Sequence, residues 1–286
     1  MLYIIVGPTG SGKTALAHQL SDLFDKCPLV NADAFQVYKD LDIGTAKIKK
    51  DSPYYSRYQL LDYLSPDKPF SIKDFQDDFR KVVDPNKDYV VVGGSGLYIK
   101  AAIYDYSFPE EEQSFDNYDD LSNEELYSML QELDIEASKN IHPNNRKRVI
   151  RAIQIAKSGL TKSEVIESQE HKLLYPCRII FINPHRDELY EHINKRVDIM
   201  IKEGLVDECK MLLEKYELSL TARQAIGYKE IFDYLEGKCS LESAIELIKK
   251  RSRNYAKRQV TFFKHQFQTI EYISAEEALK AIKNER

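Results

Sequence analysis

The segment Leu2-Tyr-Ile-Ile-Val-Gly-Pro-Thr-Gly-Ser-Gly-Lys-Thr14 decides how the chain is read. Residues 2–6 form a short apolar, β-branched run that stops at glycine, which predicts a buried strand. Residues 7–14 match G-x-x-x-x-G-K-[ST] in full, and apolar residues at 16, 17, 20, 23 and 24 follow at helical spacing. Strand, glycine-rich loop and helix in that order make a phosphate cradle. Backbone N–H groups and the helix N-terminus surround a diphosphate or polyphosphate, Lys13 neutralises it, and the Thr14 hydroxyl ligates Mg²⁺. The predicted diphosphate-binding residues are Gly7, Pro8, Thr9, Gly10, Ser11, Gly12, Lys13 and Thr14, with Thr14 also the metal ligand.

Outward from this segment, short apolar runs at 29–30, 89–92, 178–182 and 270–273 read as further strands. Strands alternating with helices imply an α/β fold: a P-loop NTPase-like parallel sheet flanked by helices. Residues 105–172 show no strand signal and read as a small helical insertion domain. The catalytic core is then expected over 1–104 and 173–286, with a helix-rich C-terminal part. There, a helix beginning at Asp187 carries Leu189, Ile193, Val197 and Met200 on one face until Gly204 interrupts it. Ser240 caps a long helix in which Tyr255, Phe262 and Phe263 are expected in the core. Ser274-Ala-Glu-Glu277 is a capping box for a terminal helix.

The 286 residues are 43% hydrophobic and 30% charged, which excludes global disorder and leaves ample material for a core. No apolar run approaches a membrane span, and the N-terminus lacks the basic region of a signal peptide. Cys27, Cys177, Cys209 and Cys239 make no CxxC pair and no zinc spacing, so a cytoplasmic protein is expected. The net charge of −5 argues at first against a nucleic-acid partner. Its distribution argues otherwise. Twelve acids and no base lie between Asp105 and Glu136, so the rest of the chain is +7. The bases cluster at Arg146, Lys147, Arg148 and Arg151, and again as seven bases between Leu247 and His265. Lys249, Arg253 and Lys257 lie at i, i+4 and i+8, a basic ridge along the long helix.

A nucleotide-hydrolysing P-loop protein usually carries an acid at the end of a later apolar strand to help hold Mg²⁺. Here the strand at 89–92 ends in Gly93-Gly94-Ser95-Gly96, and the candidate acid is Asp33, after the strand at 29–30. Asp33 could lie behind the Mg²⁺ ligands or act as a general base at the phosphate end. Its surroundings, Asn31-Ala-Asp-Ala-Phe-Gln-Val-Tyr38 and Asp42-Ile-Gly-Thr-Ala-Lys47, resemble the tRNA dimethylallyltransferase (isopentenyltransferase) family, bacterial type. So do Val92-Gly-Gly-Ser-Gly-Leu-Tyr98, Ile141-His-Pro-Asn-Asn-Arg-Lys-Arg-Val-Ile-Arg-Ala152, Leu189-Tyr-Glu-His-Ile-Asn-Lys-Arg-Val-Asp198, Thr221-Ala-Arg-Gln-Ala-Ile-Gly-Tyr-Lys-Glu230 and Tyr255-Ala-Lys-Arg-Gln259. The blocks run from Met1 to about Phe263 in the family's order.

The resemblance implies transfer of a dimethylallyl group from dimethylallyl diphosphate to the N6 amine of the tRNA adenine just 3′ of the anticodon, position 37. Asp33 matches the catalytic carboxylate, Arg223 the diphosphate-binding arginine, and Ser95 stands where a threonine is usual. Asp33, Ala34, Phe35 and Gln36 would meet the flipped-out base, with Gln36 reading a base edge. Lys147, Arg148, Arg151, Lys249, Arg253 and Lys257 would hold tRNA phosphates. Mg²⁺ is the implied cofactor, with tRNA and dimethylallyl diphosphate as partners. No membrane and no obligate protein partner are implied, and a monomer is expected. The segment 108–140 is shorter than usual in the family, Tyr58-Gln-Leu-Leu-Asp62 replaces a His-rich pattern, and no cysteine follows Cys239 to build a zinc finger. The alternatives from the residues alone are a prenyltransferase acting on free AMP or ATP, a nucleotide kinase, and a non-catalytic RNA-binding NTPase.

Overall fold

The strand Leu2–Val6 (β1) lies near the middle of a six-stranded sheet, paired in parallel with Tyr89–Gly93 (β4) on one side and Cys177–Phe181 (β5) on the other. Its neighbours explain its composition: a strand covered on both faces reads as a continuous apolar run. Leu29–Asn31 (β2) pairs with β4, Tyr58–Gln59 (β3) with β2, and Glu271–Tyr272 (β6) with β5, all parallel. The order is β3-β2-β4-β1-β5-β6. This computed structural model describes residues 1–108, 118–159, 172–267 and 269–285.

The chain divides into two compact units, Met1–Ala102 with Tyr175–Arg286, and Ile103–Leu174. The second begins and ends about two residues outside the expected insertion. In the first unit, Lys13–Leu23 (α1) buries Leu16, Ala17 and Leu20 against the sheet. The helix Ile72–Val82 (α2), capped reciprocally by Ser71 and Asp74, buries Phe75 and Phe79. Gly96–Ile103 (α3) follows β4. Within the second unit, Asn123–Leu133 (α4), Ile135–Asn140 (α5) and Arg146–Lys157 (α6) enclose a small core of Leu126, Leu130, Val149 and Ile153. The acidic residues Glu110, Glu111, Glu112 and Asp116 lie outside the described residues.

The C-terminal part is helical, as its periodicity predicts. Arg186–Lys202 (α7) buries Leu189, Ile193, Val197 and Met200, and Gly204 separates it from Leu205–Lys215 (α8). Leu220–Arg223 (α9) and Tyr228–Leu235 (α10) lead to the 26-residue helix Leu241–Gln266 (α11), capped by Ser240. At 1.5 Å per residue α11 is about 39 Å long. Ala275–Asn284 (α12), opened by the Ser274 and Glu277 capping box, packs Ala278 and Ile282 against the core around α1. Among the described residues, no helix is long and apolar enough to cross a membrane.

Candidate active site

Parallel sheets place ligands beyond the carboxyl ends of their strands, because the loops there are free to diverge. Three such loops converge here. Residues 7–12 leave β1, Ala32 and Asp33 follow β2, and Gly94 and Ser95 follow β4. Ala32 donates its N–H to the Val92 carbonyl at 2.8 Å, and Ser95 N–H reaches the Ala32 carbonyl at 3.2 Å. The Ser95 hydroxyl accepts from Ala34 N–H at 3.1 Å. Ser95 thereby fixes the backbone beside Asp33 and does not itself line the cavity in front of it.

Asp33 is set by local chemistry. Its N–H donates to Asn31 Oδ1 at 3.1 Å, and its Oδ1 accepts from Phe35 N–H at 3.0 Å, a side-chain turn that aims the carboxylate. Its Oδ2 makes no hydrogen bond among the described residues. A polar cavity of about 190 Å³ is lined by Thr9, Lys13, Thr14, Asn31, Asp33, Gln36 and Arg196, among others. A second cavity of about 100 Å³ is largely apolar, walled by Phe35, Ile193, Val197, Met200, Ile226 and Ile248. Thr9, Asp33, Thr45, Arg196 and Tyr255 line both. A carboxylate and a guanidinium therefore stand where a charged compartment meets an oily one.

The cradle is cationic and under-satisfied. Lys13 Nζ donates to the Pro8 carbonyl at 3.2 Å. Burial, and then the nearby Arg196 charge, bring its pKa down to about 8 against the opposing pull of Asp33. Burial also lowers the Arg196 pKa, against the pull of Asp33. Among the described residues the Ser11 hydroxyl is buried with no partner. An anion in the polar cavity would offset the Lys13 and Arg196 charges that line it. Tyr255 completes the junction, its hydroxyl pushed up to about 12 by burial and then by the Asp33 charge.

Three residues of this site were not among those expected from sequence. Arg196 donates to Thr9 Oγ1 at 3.0 Å and to the Thr45 carbonyl at 3.1 Å. Gln259 is buried, accepts from Thr9 N–H at 3.0 Å and donates to the Gly94 carbonyl at 3.0 Å. A side chain at Gly94 would collide with that amide, its Cβ 2.1 Å from Gln259 Nε2. Tyr255, expected in the core, lines the cavities instead. A signal existed for two of them. Arg196 falls seven residues after Leu189 and four before Met200, on the apolar stripe of α7, and Gln259 sits between Ala256 and Phe263 on that of α11. A polar side chain on a buried stripe needs a partner inside the fold.

Other expected residues lie elsewhere. Arg223 pairs with Glu236 and covers the Phe232 ring, outside the lining of either cavity. Along α11 the ridge is largely engaged: Lys249 pairs with Asp198 at 2.9 Å and with Glu246, and Arg253 donates to Asn194 Oδ1. Lys257 is exposed. In the second unit Arg146 is bound to the carbonyls of Tyr118 and Leu121, so it braces the start of α4, whereas Lys147 and Arg148 are exposed.

Fold and site together define a P-loop-like α/β protein whose polar, lysine-lined cavity adjoins a small apolar pocket. Residues 36–266 match the IPP transferase family model, and residues 1–58 match that of isopentenyl transferase. The chain belongs to the IPP transferase family. It is 40% identical over 275 residues to the tRNA dimethylallyltransferase of Bacillus licheniformis, covering 92% of this chain and 87% of that one. The Bacillus subtilis tRNA dimethylallyltransferase is 40% identical over 277 residues, covering 93% and 88%. Among solved structures, the tRNA isopentenylpyrophosphate transferase of Staphylococcus epidermidis superposes with a TM-score of 0.71 at 37% identity, covering 99% of this chain and 97% of that one. A eukaryotic dimethylallyltransferase acting on tRNA gives 0.82 at 26% identity, covering 96% and 73%.

Proposed function

We propose that the protein transfers the dimethylallyl group of dimethylallyl diphosphate to the exocyclic N6 amine of adenine 37 of tRNA, releasing diphosphate. The observation that carries this reading is the junction: a cationic phosphate cradle and an apolar pocket share Asp33, Thr9, Arg196 and Tyr255. A molecule with an anionic head and a short hydrocarbon tail matches both compartments, and its reacting carbon falls between them. The relatives' names carry the same transferred group, dimethylallyl, and the same class of acceptor, tRNA.

Displacement at the allylic carbon leaves its bonding pair on the diphosphate. Lys13, Arg196 and the N–H groups at the N-terminus of α1 stabilise the negative charge that grows there. An adenine amine is a weak nucleophile because its lone pair is delocalised into the ring. The free Asp33 Oδ2 orients N6–H and accepts the proton as the C–N bond forms. Ala34, Phe35 and Gln36 continue from Asp33 along the base's path. Burial in the apolar pocket keeps water from the allylic centre.

Mg²⁺ is the cofactor this reading implies. Thr14 offers an oxygen donor on the polar cavity. Few protein oxygens plus substrate phosphates is the usual arrangement for Mg²⁺. When bound by Thr14 it would offset diphosphate charge. Exposed Lys147, Arg148 and Lys257 are available for tRNA phosphates.

The test incubates the enzyme with labelled dimethylallyl diphosphate and, separately, unmodified tRNA, AMP and ATP. Label is expected on tRNA; label on AMP alone overturns the reading. Asp33→Ala is expected to abolish transfer while tRNA binding persists, and wild-type turnover would remove Asp33 from the mechanism.

A further inference from the structure

We propose that Glu208 and Tyr228 are positioning residues for this reaction: together they seat the turn at 42–47, whose Thr45 carbonyl holds Arg196 and Gln36 at the cavity. The inference rests on reading that cavity as a diphosphate site. Thr45 O accepts from Gln36 Nε2 at 3.0 Å and from Arg196 Nη2 at 3.1 Å. One carbonyl therefore sets both the guanidinium beside the cradle and the amide beside Asp33. The Thr45 hydroxyl cannot substitute, because it is turned back onto the Leu41 carbonyl at 2.7 Å.

What fixes Thr45 is the turn beneath it. The Glu208 carboxylate, in the first turn of α8, accepts Ile43 N–H at 2.9 Å and Gly44 N–H at 3.4 Å, and the Tyr228 hydroxyl donates to it as well. Gly44 N–H also reaches the Tyr228 oxygen at 3.1 Å. The backbone at Gly44 lies so close to the Tyr228 ring that a Cβ there would stand 2.4 Å from Cε2. Burial raises the Glu208 pKa, and the hydrogen bonds from Tyr228, Ile43 and Gly44 oppose that shift because they favour the ionised carboxylate. Neither Glu208 nor Tyr228 lines the polar cavity, so any effect they have on it passes through the turn.

The test measures binding of inorganic diphosphate by calorimetry. Tyr228→Phe, which keeps the ring, and Glu208→Gln are each expected to weaken binding by about tenfold, and Arg196→Lys by more. In the double variant Glu208→Gln/Arg196→Lys, the Glu208 change is expected to add little to the Arg196 change, because both act through one contact. Independent, multiplicative losses would overturn the proposal, as would unchanged diphosphate affinity in Tyr228→Phe. If Glu208→Gln does not fold, Tyr228→Phe with Arg196→Lys runs the same cycle. A wild-type protein that binds no diphosphate would instead overturn the cradle reading beneath it.

Discussion

Lys13 and Lys47 stand on two loops that border the same cavity, and their surroundings are opposite. The Lys13 ammonium has one neutral carbonyl partner and a cation, Arg196, nearby. The Lys47 ammonium, 1% exposed, is bound by Asp42 and Asp62 at 2.7 Å each and by the Tyr38 carbonyl. Asp62 in turn accepts from Tyr55 and pairs with Lys50. One loop leaves its charge with a single neutral hydrogen-bond partner, as an anion site would need; the other consumes its charge internally and so holds a shape. Satisfied polar networks rigidify, whereas unsatisfied ones are where ligands bind.

Substitutions can break this contrast. Lys47→Met leaves Asp62 buried without its main cation and is expected to cost about 3–5 kcal/mol in chemical denaturation. A wild-type midpoint would mean that the 42–62 network does not hold the loop. Lys13→Met is expected to lower prenyl transfer by about 10²–10³-fold while stabilising the ligand-free fold at pH 7. The sign follows from linkage. A lysine whose folded pKa is about 8, against the ordinary 10.5, imposes its full cost on folding below about pH 8. That cost fades as pH rises from about 8 toward 10.5, so the stability gap between Lys13→Met and wild type should close over that range. Diphosphate affinity should fall over the same range as the ammonium loses its proton. A gap that is constant with pH would contradict the desolvated ammonium.

Gln259→Ala unpairs Thr9 N–H and the Gly94 carbonyl and is expected to cost about 1–3 kcal/mol, read as a lowered melting temperature. An unchanged melting temperature would show that other groups satisfy that wall. The smallest effect separates bases on one helix. Lys257→Ala should reduce the salt slope of tRNA binding by about one. Lys249→Ala, which loses its pairs with Asp198 and Glu246, should leave that slope unchanged. Equal slopes for the two variants would erase the distinction between an exposed and an engaged lysine.

The periodic elements were legible. The spacing of Leu189, Ile193, Val197 and Met200, the Ser240 cap and the Ser274 capping box each recur in the structure at those residues. Strand β3 escaped because two residues carry no period, and its parallel pairing with β2 depends on contacts between segments. Of the residues expected at the site, Thr9, Lys13, Thr14 and Asp33 do line the polar cavity, and each sits in a contiguous motif after a strand. Arg196 and Gln259 were not chosen because helical periodicity places a residue on a face without saying what that face touches.

The sequence by itself determined that a loop with the P-loop pattern leaves a buried strand, because that pattern needs only adjacent residues: glycines, a lysine and a hydroxyl at set spacing. It also determined that the net charge of −5 conceals two basic clusters. Tertiary structure alone decided which of those bases stay exposed, and that an arginine from α7 and a glutamine from α11 complete the cradle. Thr9 receives the first through its hydroxyl from 187 residues away and the second at its N–H from 250. Such partners are chosen by the packing of whole helices, which no local pattern records.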